Sequence, residues 1–151
     1  MSKSYSNILV PYDGSKYSQK ALKMAFELAS AFNASLNLVN VIDISSVSPP
    51  GKIRSKDTRK TLDQIKNSVK TSVEAYLQKI QKDYGDSGVI VKGFVLEGDV
   101  TGKLLKFIQD RDIDLVIIGS KGLSGISKIM TLGSVSRKIS ERVKCPVVIV
   151  R

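Results

Sequence analysis

The sequence predicts an α/β fold: a doubly wound, five-stranded parallel sheet in the order 3-2-1-4-5, flavodoxin-like or Rossmann-like, with helices on both faces. Three observations lead there. Short apolar runs alternate along the chain with longer segments whose apolar residues recur at three- and four-residue steps, the rhythm of βαβ units. Residues 114–118 (DLVII) continue without polar interruption after the first residue, as expected of a strand covered on both faces. Parallel strands also need right-handed crossovers, which place helices on the two faces of the sheet.

Residues 7–11 (NILVP) form the first expected strand, and from Ser15 onward Ala21, Leu22, Ala25, Leu28, Ala29 and Phe32 trace one face of a helix. Residues 35–42 (SLNLVNVI) alternate polar and apolar side chains into a second strand, followed over 44–56 by a Ser-, Pro- and Gly-containing loop. Between 57 and 84, Leu62, Ile65, Val69, Val73, Tyr76, Leu77 and Ile80 mark a long amphipathic helix, closed by Gly85. Residues 89–96 are a third strand, and 102–109, with Leu104, Leu105 and Ile108, a third helix. After the strand at 114–118, Val135, Ile139 and Val143 fall four residues apart in a last helix, and Pro146 opens the final strand, PVVIVR. No internal repeat interrupts this order.

A chain of 151 residues suits one domain over residues 1–151 with one continuous core. Its 42% hydrophobic and 25% charged residues lie near the globular average, and no apolar run approaches the roughly 20 residues that span a membrane. The first residues carry no long apolar leader, and one cysteine, Cys145, makes no intrachain disulfide. A cytoplasmic protein without a membrane partner is the expectation. The formal net charge of +10 favours anionic partners in general, and the basic excess gathers in 52–82 and 103–144. Those stretches are mainly helical, with lysines between apolar positions, so they read as solvated helix faces. The chain has five Tyr, four Phe and no Trp, mostly at core-like positions, so no aromatic platform for stacked bases accompanies the charge.

Ligands of such sheets bind beyond the carboxyl ends of the strands, where the strand order reverses. Polar residues concentrate there: Asp13 after the first strand, Asp43 after the second, Glu97 and Asp99 after the third, and Gly119 after the fourth. Asp13 or Ser15 is a candidate cap for the first helix, and capping suffices to explain Asp43 and Asp99. Residues 98–104 (GDVTGKL) fail as a P-loop, because three residues separate the glycines and Leu104 stands where a magnesium-binding hydroxyl is needed. Gly119, Gly122 and Gly125 do not make the dinucleotide pattern either, and they follow the fourth strand instead of the first. The chain has no histidine, so the usual neutral-pH base is missing; Cys145 reads as a small core residue. Scattered carboxylates suit at most a magnesium or manganese ion shared with ligand phosphates. A binding module fits this inventory better than an efficient enzyme.

Taken together, PYDGS (11–15), VID (41–43), GSKG (119–122), GSVS (133–136) and PVVIVR (146–151) make the whole chain resemble the universal stress proteins. Nucleotide-binding members of that family carry Gly, two residues, Gly, nine residues, Gly and then Ser or Thr, wrapped around the phosphates and ribose of ATP. Gly119, Gly122, Gly133 and Ser134 match the ends of this pattern, while the spacer, 123–132, has ten residues. The resemblance implies that Pro11, Tyr12 and Asp13 line a nucleotide site, with Asp13 on the adenosine portion. It also implies that the backbone at Val41 meets the adenine edge and that Val135 and Ser136 extend the phosphate contacts. ATP, or AMP or ADP, with magnesium or manganese, is the implied cofactor.

Physical reasoning agrees: glycines let backbone N–H groups approach phosphate oxygens, and a helix entered at Gly133 and Ser134 offers unpaired N–H groups at a positive dipole end. Lys121, between the first two glycines, adds a positive charge of its own. The resemblance further implies a homodimer paired through the strand at 146–151. Two alternatives stay open: a family member that binds no nucleotide and works through protein partners, its glycines merely turning the chain, and a basic nucleic-acid-associated factor.

Overall fold

A computed structural model, describing residues 4–43, 56–122 and 132–151, realises the expected alternation. In chain order it comprises β1 (Asn7–Pro11), α1 (Lys16–Phe32), β2 (Ser35–Ile42), α2 (Lys56–Asp83), β3 (Val91–Glu97), α3 (Val100–Asp110), β4 (Leu115–Gly119), α4 (Ser134–Arg142) and β5 (Val147–Val150). The strands form one sheet in the order β3-β2-β1-β4-β5, every neighbouring pair parallel, as the sequence predicts. The loop expected over 44–56 lies outside the described residues up to 55, as do the side chain of Leu62 and spacer positions 123–131. No helix among the described residues is long and apolar enough to cross a membrane.

Strand alternation splits the core between the two faces. Ile8 and Val10 of β1 join Leu36, Leu38, Leu115 and Ile117 beneath Ala21, Leu22, Ala25 and Phe26 of α1 and Val73 and Leu77 of α2. Leu9 points the other way, joining Val39, Val116 and Ile118 beneath Leu104, Phe107 and Ile108 of α3 and Ile139 of α4. Each face is thus covered by two helices, which explains why β1 and β4 carry so little polar character.

Local chemistry sets the helix ends. Ser15 caps α1, its Oγ accepting from the Ser18 N–H at 3.2 Å, and Asn33 closes that helix in the left-handed conformation at φ 55°. Asp99 caps α3, its Oδ2 accepting from the Gly102 N–H at 2.8 Å. The junction between α2 and β3 differs from expectation. Helix α2 ends at Asp83, and Gly85–Ser87 forms a separate 3₁₀ turn whose left-handed exit is Gly88, at φ 80°. The turn and Gly88 stop just short of residue 89, where the third strand is expected, and β3 starts only at Val91, leaving Ile90 64% exposed.

Strand β2 holds the larger surprise. Asn37 and Asn40, three residues apart and so on opposite faces of the strand, are both buried. Flanked by β1 and β3 and covered on both faces, β2 has no wet side, so hydrogen bonds replace water. Asn37 Nδ2 donates to Asn7 Oδ1 at 2.7 Å and to the Ile8 carbonyl at 3.1 Å, while Asn40 Nδ2 donates to the Tyr12 carbonyl at 2.8 Å and to Tyr76 Oη at 2.9 Å.

Candidate functional site

The chain leaves β1 toward β2 on one side, whereas β4 joins β1 on the other, so the carboxyl ends of β1 and β4 flank the reversal of strand order. Pro11 ends β1, Tyr12 follows it into the interior, and Asp13 begins the turn to α1. Gly14 takes φ 83°, a left-handed backbone that side chains rarely adopt, and this sharp turn brings the Ser15 N–H onto Asp13 Oδ1 at 2.9 Å. The other carboxylate oxygen, Oδ2, lies on the side of β4. A Cβ built on Gly122 would stand 2.9 Å from it.

Gly133 reaches the same place from the far end of the spacer. Its N–H donates to the Ser120 carbonyl at 2.6 Å, and a Cβ on Gly133 would lie 3.4 Å from Lys121 Cα and 3.9 Å from the Gly122 nitrogen. Gly133 is also the N-cap of α4, whose first residue, Ser134, is exposed. Asp13, Lys121, Gly122 and the entrance of α4 therefore converge. The amides of the first helical turn have no intrahelical acceptor, and together with the helix dipole they favour an anion at that end. A side chain on Gly122 or Gly133 would fill this cradle.

Other residues singled out in the sequence sit differently. Gly119 ends β4 beneath α1, and an added Cβ would fall 2.8 Å from the Tyr17 carbonyl carbon and 3.0 Å from the Ser18 nitrogen. Its missing side chain thus admits the first turn of α1 against the sheet. Val135 is half-buried against the α3 and α4 core, and Ser136 is buried, its Oγ donating to the Gly119 carbonyl at 2.6 Å. Val41 pairs with Leu96 in the β2–β3 ladder, with its side chain packed in that core, so it offers the sheet's carboxyl edge its backbone. Lys121 is half-buried.

Three neighbours escaped the sequence reading. Ser120, 2% exposed, accepts from Gly133 and donates its N–H to the Val150 carbonyl at 2.8 Å, joining the cradle to β5. Asn40 and Tyr76 form the network behind Tyr12 and Asp13. Nothing local marks Ser120 apart from its place between glycines; Asn40 reads as a polar residue of the second strand and Tyr76 as a core position of a helix. Burial, then the neighbouring Tyr12 and Asp13, pushes the Tyr76 phenol up to about 12 against the opposing hydrogen bond from Asn40. Burial first, with Asp13 and Tyr84 adding, also raises Tyr12.

The universal stress protein family model matches residues 4–151. Universal stress protein YxiE of Bacillus subtilis (strain 168) is 31% identical over 150 residues, covering 97% of this chain and 99% of its own. Universal stress protein UspA from Lactobacillus plantarum has a similar structure, with a TM-score of 0.86 at 22% identity over 99% of this chain and 100% of that one. The fold is shared by a universal stress protein in complex with cAMP (TM-score 0.67, 22% identity, 99% and 98% covered) and one from Archaeoglobus fulgidus in complex with dAMP (TM-score 0.60, 20% identity, 99% and 100% covered).

Proposed function

The chain belongs to the universal stress protein family, and on that premise we propose that it is a regulatory protein that binds an adenine nucleotide, ATP in particular, and acts as a homodimeric binding module in the cytoplasm. The observation that carries the reading is the convergence of Asp13, Gly122 and Gly133 at the reversal of strand order, where a Cβ on Gly122 would meet the Asp13 carboxylate. Asp13 suits a ribose hydroxyl, the backbone of Val41 suits the adenine edge, and Lys121 with the amides of Ser134, Val135 and Ser136 suits the phosphates. Magnesium or manganese would enter with those phosphates. Family members of this fold that hold cAMP and dAMP support the choice of an adenine ligand.

Without a histidine base or a P-loop lysine, the nucleotide acts as a bound signal that selects a conformation, with turnover slow or absent. The dimer forms at β5, where the hydrogen bonds from Val116 to Pro146 and from Ser120 to Val150 turn those residues toward β4 and put the polar groups of Val147 and Ile149 on the outer edge. The opposite edge, β3, is blunted by exposed Lys92 and Glu97.

Mass spectrometry of ligand extracted from the purified protein, followed by calorimetry with magnesium-ATP, tests the reading. Binding by the natural chain and its loss in Gly133→Val, with an unchanged circular dichroism spectrum, are expected. No heat and no thermal shift at millimolar ATP would overturn it.

A further inference from the structure

Helix α2 reaches the candidate site through one hydrogen-bonded chain. Tyr76 Oη accepts from Asn40 Nδ2 at 2.9 Å, and the same amide nitrogen donates to the Tyr12 carbonyl at 2.8 Å. That carbonyl belongs to the peptide bond that carries Asp13. An amide nitrogen has two protons to donate, so Asn40 has both committed, one to α2 and one to the turn after β1. The Tyr12 and Tyr76 rings pack at 5.6 Å, tilted by 55°, a second contact between α2 and the residue before Asp13. On its far side Asp13 is held by the Ser15 N–H at 2.9 Å.

From this geometry we infer that Tyr76 is a positioning residue for Asp13: through Asn40 it orients the peptide between Tyr12 and Asp13 so that the carboxylate is presented beside Gly122, and it thereby makes α2 responsive to the ligand at Asp13. The inference rests on the proposed nucleotide site and names a route of regulation for it. The physical basis is burial. Asn40 is 9% exposed, so neither of its bonds exchanges readily with water, and losing the Tyr76 oxygen leaves one amide proton without its acceptor. The amide then rotates to recover a partner, and the carbonyl it holds moves with it. By reciprocity, a ligand that fixes Asp13 favours the position of α2 in which Tyr76 meets Asn40.

A double-mutant cycle separates this role from general stability. Tyr76→Phe keeps the ring against Tyr12 and removes the acceptor; magnesium-ATP binding, measured by calorimetry, is expected to weaken about fivefold, the scale of one hydrogen bond. In an Asp13→Ala background the same substitution is expected to change affinity less than about twofold, within the additivity limit for independent sites. Equal weakening in both backgrounds, or none in the natural chain, would overturn the inference. Should Tyr76→Phe fail to fold, Asn40→Ser takes its place in the cycle under the same criterion, since a short hydroxyl does not span both acceptors. If the natural chain binds no nucleotide, the functional reading falls, and the ligand-free protein decides the positioning role: a Tyr76→Phe shift in the carboxyl-carbon NMR resonance of Asp13 supports it, and an unmoved resonance refutes it.

Discussion

Ser136 Oγ donates to the Gly119 carbonyl at 2.6 Å, joining two residues 17 positions apart and tying the end of β4 to the first turn of α4. The hydroxyl is therefore turned into the protein, and under the proposed function the group that Ser136 presents to phosphate is its backbone N–H. Replacing Ser136 by Ala strips a buried carbonyl of its donor. Urea denaturation should show a loss of about 1–2 kcal/mol, and ATP affinity should fall as the helix entrance loosens.

Two glycines of one motif should behave differently. Gly119→Ala drives a Cβ into the backbone of Tyr17 at 2.8 Å, where α1 has to shift, so the fold should lose about 1–3 kcal/mol. Gly122→Ala meets the end of the Asp13 side chain at 2.9 Å, a group able to swing aside. Stability should change by less than about 0.5 kcal/mol, while ATP affinity drops about tenfold as Asp13 leaves its position. Thermal denaturation and calorimetry on the two variants distinguish these outcomes.

High pH should act through Tyr76. A folded-state pKa of about 12, raised from 10.0, means that the native chain keeps a proton that the unfolded chain has begun to release. The associated stability is complete below pH 10 and is lost as the pH climbs toward 12, an effect of about 1 kcal/mol once solvent screening of this half-buried phenol is counted. Absorbance titration should show a late-ionising tyrosine that disappears in Tyr76→Phe, and the same variant should flatten the alkaline decline in urea-denaturation stability.

Assembly through β5 is checked by sedimentation. Ile149→Pro removes an N–H from the outer edge of the sheet while leaving the bonds from β5 to β4 in place, a site where proline is tolerated. The natural chain should sediment as a dimer and the variant as a monomer with its secondary structure retained. Dimers in both would place the interface elsewhere.

Much of the fold is legible in the sequence. Ala21, Leu22, Ala25 and Ala29 announce the buried face of α1, and the unbroken DLVII run announces a doubly covered β4. Asp99 and Ser15 stand where helix caps belong, and they cap. The candidate site was legible as a set of glycine positions, because turns where backbone or side chain approaches closely need glycine wherever they fall in the chain. The burial of Asn37 and Asn40 was not legible, because a polar residue in a strand pattern does not reveal whether either face is wet.

The sequence by itself determined the order of strands and helices, the carboxyl-edge location of Asp13, Gly122 and Gly133, and the family resemblance, because periodicity, capping and glycine turns are properties of neighbouring residues. Only the tertiary structure decided that Gly119 serves packing against Tyr17, that Ser136 faces inward, and that Tyr76 reaches the peptide before Asp13 through Asn40. The hydrogen bonds among them link residues 17, 28 and 36 positions apart. They arise from the parallel register and from helices laid across strands, where a buried polar group must find its partner from another element, and no local pattern encodes which one that is.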